Sequence, residues 1–184
     1  MNPNGADGRE QTTTEAVDDG PVASFPISVI LVGLDGSEPS RRAAEHAVVI
    51  AEMFHAELIG VHAVGLLDVW PDADEPTPRN SHDHVRTLME TDWSAPLRRS
   101  SAAWRLELRD GLPVDTMLDA IRDFHADLVV VGTRGSGGSV VGMLGSTSAK
   151  IVERSPVPVL VVPSPGDGAG SAVPGDLAPE GARR

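Results

Sequence analysis

A glycine-rich segment, Asp127–Ser148, carries the residue types and spacing best suited to chemistry in this chain. It begins with the apolar run Leu128–Val131 and ends on three consecutive hydroxyl residues in front of a predicted short helix, Ala149–Arg154. Glycines let the backbone approach an anion closely, and a helix start offers unpaired N–H groups and the positive end of a dipole. We therefore predict a strand–loop–helix unit that binds phosphate. Its glycines are Gly132, Gly135, Gly137, Gly138, Gly142 and Gly145.

The spacing of these glycines does not fit two common nucleotide motifs. A Walker A loop needs a lysine after its last glycine, whereas Ser146 follows Gly145. The dinucleotide fingerprint fails because Val140 occupies the position of its third glycine. The spacing that is present is G-2x-G-9x-G-[ST], formed by Gly132, Gly135, Gly145 and Ser146. A glycine-rich connection without any ligand remains the alternative.

The elements that must position this loop alternate between strands and helices. Near-continuous apolar runs indicate strands buried on both faces of a parallel sheet, and apolar residues spaced by three and four indicate amphipathic helices. This order predicts an α/β fold: a five-stranded parallel sheet, doubly wound and Rossmann-like, with helices on both faces. Strands are predicted at 27–34, 58–64, 104–108, 128–131 and 157–162. Helices are predicted at 40–55, at 81–101 with an interruption at Pro96, at 113–124 and at 149–154.

Composition limits the classes of function. The chain has 184 residues, which favours one domain, and a net charge of -12, which argues against a duplex nucleic-acid surface or an anionic membrane surface. It has no cysteine, which excludes disulfides, thiolate zinc sites and thiol nucleophiles. It shows no transmembrane run and no secretory signal, so we expect a cytoplasmic protein.

Both ends of the chain are low in hydrophobic residues. Residues 1–25 are polar without periodicity, and residues 165–184 are rich in Gly, Pro and Ala. Such compositions cannot bury enough apolar surface to fold. We therefore predict two disordered tails around a folded domain at residues 26–164.

Several ordered motifs across this domain resemble one family. VGLDGS, GVHAV, VVVGTRG and SPVPVLVV occur at the expected strands, and the glycine spacing completes the pattern. Together they resemble the ATP-binding branch of the universal stress protein family. The resemblance implies an adenine nucleotide α-hydrolase-like sandwich, a stress-response role, and a homodimer formed through Val157–Val162. It also implies an adenine nucleotide laid across the strand ends: ATP, or ADP or AMP, with Mg²⁺ as a possible companion of ATP.

The resemblance also implies roles for individual residues. Asp35 would take the ribose hydroxyls, the main chain near Gly33 and Ala63 would face the adenine, and Val131 would line the pocket. The phosphates would be held by the three motif glycines and by donors at the helix start, with Arg134 as a further candidate. The implied phosphate-binding residues are Gly132, Gly135, Gly145, Ser146, Thr147 and Ser148.

Structural explanations compete with several of these roles. Asp35 lies two residues before Ser37 and fits a helix cap or a turn. Ser146 would cap its helix even without a ligand, and Arg134 reaches either a phosphate or solvent. The triplet His82–His84 has no third metal ligand nearby in the sequence, so we favour a solvated surface and predict no metal site. His62 is predicted to be a core histidine.

Three functions remain after this comparison. The first is a regulatory protein that binds ATP and passes its nucleotide state to an unknown regulatory partner. The second is a slow ATP hydrolase, which is less favoured because phosphoryl transfer needs a metal carboxylate and a positioned base, and the loop has neither. The third is an interaction module without a nucleotide, against which the complete glycine pattern argues. We therefore predict no catalytic residues.

Overall fold

The computed structural model describes residues 26–65, 78–135 and 144–163. Both predicted tails lie outside these ranges. Most of the predicted surface loop at 65–80 also lies outside them, and so does the part of the glycine loop that contains Gly137, Gly138 and Gly142. The two ends of the glycine loop, with the three motif glycines, are described.

The described strands form the predicted five-stranded sheet. All four strand pairs are parallel, and the order across the sheet is β3-β2-β1-β4-β5. From β1 in the middle, the chain adds β2 and β3 on one side, and it then crosses back to add β4 and β5 on the other side. The strands are β1 (Val29–Gly33), β2 (Glu57–Val64), β3 (Trp104–Asp110), β4 (Leu128–Gly132) and β5 (Val159–Val162).

Helices cover both faces of this sheet, which confirms the doubly wound prediction. Beside α1, on one face, lie the short helices between β2 and β3, and the helices that follow β3 and β4 pack on the other face. The helices are α1 (Glu38–Phe54), α2 (Pro78–Leu88), α3 (Ala95–Arg98), α4 (Pro113–Phe124) and α5 (Ser146–Arg154). Among the described helices, none combines the length and apolar composition needed to cross a bilayer.

The predicted helix at 81–101 is divided into three parts. It begins earlier, at Pro78, because proline is well tolerated in the first turn of a helix. A π-helical turn, Met89–Trp93, follows α2, and α3 begins beyond it with Pro96 in its first turn. The predicted interruption at Pro96 is thus confirmed, since proline has no N–H to donate to the preceding turn.

Two further boundaries differ from the predictions. The helix predicted at 149–154 begins at Ser146, so the three hydroxyl residues form its first turn. The last strand begins at Val159 and not at Val157, because Pro158 has no N–H for the ladder. β5 is an edge strand, as the two prolines before it predicted.

The core consists of small aliphatic side chains on both faces of the sheet. Residues of β1 and β4 alternate between the faces: Ile30 and Val130 pack towards α1, and Leu31 and Val129 pack towards α4, all without exposure. α1 packs closely on the sheet because Ala43 and Ala47 on its inner face are small. This close packing brings the N-terminal turn of α1 next to the ends of β1 and β4.

Candidate functional site

A cavity of about 360 Å³ lies beyond the carboxyl ends of β1 and β4. This volume is in the range of about 300–1,000 Å³ that is typical of small-molecule sites. Strands β2 and β3 are added on one side of β1, and β4 and β5 are added on the other side. The gap between β1 and β4 is therefore the topological switch point, where open α/β sheets bind ligands. The structure brings all the predicted site residues around this cavity: Gly33, Asp35, Ala63, Val131, Gly132, Arg134, Gly135, Gly145, Ser146, Thr147 and Ser148.

Asp35 lies directly after β1 and shapes the turn into α1. Its Oδ1 accepts hydrogen bonds from the N–H of Ser37 at 3.0 Å and from the hydroxyl of Ser37 at 2.6 Å. Ser37, and not Asp35, is the N-cap of α1 and accepts from the N–H of Ser40. The turn-forming role considered for Asp35 is therefore present, and it fixes the carboxylate at the wall of the cavity.

Each motif glycine of the loop approaches other protein atoms closely. A Cβ atom at Gly132 would lie 2.6 Å from the main-chain carbon of Pro39 in the first turn of α1. A Cβ atom at Gly135 would collide with Oδ2 of Asp35, and one at Gly145 would lie 3.1 Å from the carbonyl oxygen of Thr133. The spacing G-2x-G-9x-G thus has a packing reason at every glycine, independent of any ligand.

The start of α5 forms one wall of the cavity. Gly145 is the N-cap, no side chain caps the helix, and no acidic residue lies in its first turn. The expectation that Ser146 would cap this helix is wrong, because the helix already includes Ser146. The first N–H groups of a helix have no partner within the helix. Here they lie at the cavity, where they can donate to an anion.

The three hydroxyl residues of this first turn are not equivalent. Ser146 and Thr147 are exposed and line the cavity. Ser148 is buried, and its Oγ donates to the carbonyl oxygen of Gly132 at 2.8 Å. The hydroxyl proton of Ser148 therefore joins β4 to α5, and only the main-chain N–H of Ser148 is left to face a ligand.

Main-chain groups beside β1 are also available to a ligand. Val61 is the last residue of β2 that pairs with β1, and its carbonyl accepts from the N–H of Leu34 at 2.9 Å. Main-chain groups two residues apart on a parallel strand point to the same neighbour. Ala63 therefore directs its N–H and C=O towards the space that β1 leaves when it turns into α1.

Another part of the cavity wall is apolar and was not predicted from the sequence. Val61, Met117 and Ile151 are almost fully buried and line the cavity together with Val131. A flat apolar ligand group fits between such side chains, and anionic groups fit the glycine loop and the start of α5. The other lining residues that were missed are Leu34, Ser40, His62, Pro113 and Thr116.

Charged groups at the cavity are few. Among the described residues that line it, Asp35 is the only carboxylate and Arg134 is the only guanidinium. Arg134 is half-buried at this wall. Within the described ranges no three His, Asp or Glu side chains come together as metal ligands would. His82 pairs instead with Asp110, with Nε2 2.6 Å from Oδ1.

Comparisons with known proteins place the chain beside one family. The model of the universal stress protein family matches residues 26–163. A universal stress protein of Thermus aquaticus is 34% identical over 136 residues, covering 72% of this chain and 96% of that protein. One from Methanocaldococcus jannaschii is 31% identical over 143 residues, covering 74% and 82%. A universal stress protein solved in complex with cAMP is 26% identical with a TM-score of 0.57, covering 74% of this chain and 97% of that one.

Proposed function

The chain belongs to the universal stress protein family, and we propose that it is a regulatory protein that binds ATP or a related adenine nucleotide in the cavity at the ends of β1 and β4. The observation that carries the proposal is that all the residues singled out from the sequence line this one cavity. One part of its wall is apolar and suits the base, and another part is rich in N–H donors and suits the phosphates. The related protein solved with cAMP supports an adenine ligand for this fold.

Each part of the nucleotide has a matching part of the cavity in this proposal. The adenine lies against Val61 and Val131, with its polar edge on the main chain of Ala63. The ribose hydroxyls donate to Asp35, because a carboxylate accepts two such bonds. The phosphates lie on the glycine loop and on the first turn of α5, where N–H groups and the helix dipole favour negative charge.

The small number of carboxylates at the cavity argues for nucleotide binding without efficient hydrolysis. Phosphoryl transfer needs a carboxylate for the metal ion and a group that positions the attacking water. Asp35 is the only carboxylate among the described lining residues, and in this proposal it faces the ribose. We therefore expect phosphate release from ATP far below ordinary enzyme turnover, and any Mg²⁺ that enters with ATP would be held mainly by the phosphates.

An interaction module without a nucleotide is the second candidate. The observation that favours it is that a Cβ atom at each motif glycine would crowd neighbouring protein atoms, most severely the main chain of Pro39 at Gly132. Such a module would keep the glycine spacing to preserve its fold and would act through its surface. The two candidates make opposite predictions about ligand binding.

The test is the nucleotide content and affinity of the purified protein. The protein is denatured, the supernatant is separated by chromatography, and ATP, ADP, AMP and cyclic AMP are titrated into stripped protein by calorimetry. Co-purified nucleotide, or binding that weakens in Ser146→Ala and Asp35→Ala, supports the proposal. A folded protein that binds none of the four nucleotides would leave the interaction module as the better explanation.

The proposal includes a homodimer through β5 and a cytoplasmic location. β5 is an edge strand whose Val159, Leu160 and Val161 are only half-buried. An apolar edge strand with unpaired main-chain groups is an aggregation hazard unless it is covered, and a second copy covers it with the same strand. Sedimentation over a wide concentration range tests this, because a mass that stays monomeric would contradict the dimer.

A further inference from the structure

The turn that carries Asp35 packs on the indole ring of Trp93. A Cβ atom at Gly36 would lie 2.5 Å from Nε1 and 2.6 Å from Cε2 of this ring. Gly36 also has a φ of 75°, a conformation that other residues adopt only at a cost. The main chain next to Asp35 therefore lies directly on the indole, with no room for a side chain between them.

His62 holds the same turn and the same ring. Its ring packs edge-on against Trp93, with the centroids 4.9 Å apart and the planes at 61°. Its Nδ1 lies 2.5 Å from the carbonyl oxygen of Leu34. Because a carbonyl only accepts, Nδ1 carries the proton and donates. His62 thus links the carbonyl of Leu34 to the indole of Trp93, on which Gly36 packs.

An unusual helical turn sets the position of Trp93. Trp93 is the last residue of the π-helical turn that begins at Met89. The guanidinium of Arg98 donates to the carbonyl oxygens of Glu90 and Thr91 and to Oγ of Ser94, and so ties this irregular turn to α3. The indole is therefore fixed from the α2 side, independently of the cavity.

Trp93 acts on the cavity only through the residues it packs on, which are the Asp35 turn and His62. It is not among the described residues that line the cavity, whereas Asp35 and His62 are. On the other side of the turn, the N–H of Asp35 donates to Oγ of Ser40 at 3.1 Å, and Ser37 holds the carboxylate. The Asp35 turn thus lies between α1 on one side and the paired rings of Trp93 and His62 on the other.

We propose that Trp93 is a positioning residue for ribose recognition: its indole, oriented by the π-helical turn and braced by His62, holds the turn so that Asp35 meets the ribose hydroxyls. This inference depends on the proposed nucleotide binding. It adds that discrimination between ribose and a sugar without hydroxyls depends on a residue that never touches the ligand. It also places the indole of Trp93 where its fluorescence reports the occupancy of the site.

The main experiment compares two ligands, ATP and 2′,3′-dideoxy-ATP, by calorimetry. We expect the natural chain to bind ATP about tenfold or more tightly than the dideoxy analogue, the effect of a hydrogen bond to a charged group. Trp93→Leu should bring this ratio close to one, mainly by weakening ATP. Trp93→Phe, which keeps an aromatic ring, should retain part of it. Trp104→Phe is the matched control, because Trp104 begins the edge strand β3, at the amino end of the strand and away from the cavity at the carboxyl ends.

A double-mutant cycle tests whether Trp93 acts through Asp35. Asp35→Ala should abolish the preference for ATP over the dideoxy analogue, and adding Trp93→Leu to Asp35→Ala should change the affinities little, because both changes remove the same interaction. Independent, additive losses of affinity would contradict the positioning role. In a chain with Trp70→Phe and Trp104→Phe, ATP should shift the emission of Trp93, and the dideoxy analogue should shift it less.

The outcomes separate this inference from the proposed function. If the natural chain binds no adenine nucleotide, both fail. If it binds ATP, but Trp93→Leu and Trp93→Phe keep the natural ratio of ATP to dideoxy affinity, only the inference fails. Thermal unfolding is measured for every variant. If Trp93→Leu does not fold, Trp93→Phe decides the question, because it keeps an aromatic ring beneath the turn at a residue that does not line the cavity. An unchanged ratio of ATP to dideoxy affinity in Trp93→Phe would then contradict the inference.

Discussion

Gly132→Ala and Gly135→Ala are the same substitution three residues apart, but the structure predicts that the first mainly lowers stability and the second mainly lowers ATP affinity. Neither glycine has a positive φ, so the added methyl group matters only through its neighbours. At Gly132 those neighbours are main-chain atoms of Pro39, at 2.6 and 2.8 Å. At Gly135 the neighbour is the carboxylate of Asp35. A main chain inside a packed helix cannot move away easily, whereas a short side chain can rotate.

The size of each effect follows from these neighbours. Carbon atoms pack at about 3.5–4 Å, so Gly132→Ala must displace the first turn of α1 by roughly 1 Å. Overpacking of this kind costs about 1–3 kcal/mol, and each kcal/mol lowers Tm by about 2–4 °C in a chain of this size. Gly135→Ala instead turns Asp35 away from its place. We expect a stability loss of only about 1 kcal/mol and a loss of ATP affinity of about 10- to 100-fold.

The assay measures both quantities on both variants. Tm is measured without ligand by calorimetry, and the dissociation constant of ATP is measured by titration at a temperature where both variants are folded. The double variant Gly135→Ala with Asp35→Ala serves as the control, because removing the carboxylate removes the collision. It should bind ATP as weakly as Asp35→Ala alone and should unfold at the same temperature as Asp35→Ala alone, because Asp35→Ala already removes the hydrogen bonds from Ser37. If Gly135→Ala lowers Tm as much as Gly132→Ala does, the contacts of the two glycines have been misinterpreted.

Three further predictions concern other parts of the fold. Val161→Pro should give a folded monomer, because the N–H of Val161 points away from β4, whereas Leu160→Pro should unfold the chain by breaking the ladder; sedimentation and Tm distinguish the two. Hydrogen bonds from the Ser101 N–H and from the Ser100 and Ser101 hydroxyls lower the pKa of Glu52, so its contribution to stability is present above about pH 4.5 and is lost as the pH falls through the lowered pKa. A plot of Tm against pH should therefore be flatter below pH of about 5 in Glu52→Gln than in the natural chain, and an unchanged slope would contradict this role. Ser148→Ala should lower the free energy of unfolding by about 1–3 kcal/mol, measured by urea denaturation, because it leaves the Gly132 carbonyl without its donor.

The sheet could be predicted from the sequence because each buried strand has a continuous apolar run. Leu31 and Val129 need no context to be identified as core, since a parallel strand is apolar on both faces. The region between β2 and β3 was harder to predict. There the helical periodicity continues through Trp93, whereas the structure has a π-helical turn whose Glu90 carbonyl accepts from the Arg98 guanidinium, a contact that periodicity does not indicate.

The candidate site was predictable where it is local in sequence and was missed where it is not. The motif glycines and Ser146 lie within one short segment, so their spacing in the sequence was enough to predict a phosphate-binding loop. Met117 and Ile151 come from α4 and α5, and in the sequence they have the spacing of ordinary core residues. Only the docking of both helices on one face of the sheet shows that their side chains also form the wall of the cavity.

The motif glycines have close protein neighbours at the same positions where we propose that the phosphates bind. Packing and ligand binding therefore both favour glycine there. Gly132 must be small so that α1 can pack against the end of β4, and that packing brings Asp35 and the start of α5 to the same cavity. Gly135 must be small because the Asp35 carboxylate lies against it. A variant at a motif glycine that loses ligand binding therefore does not by itself show a phosphate contact. Ser146 is the better probe, because it is exposed at the cavity and does not cap its helix, so a loss of binding in Ser146→Ala at unchanged Tm would reveal a direct contact.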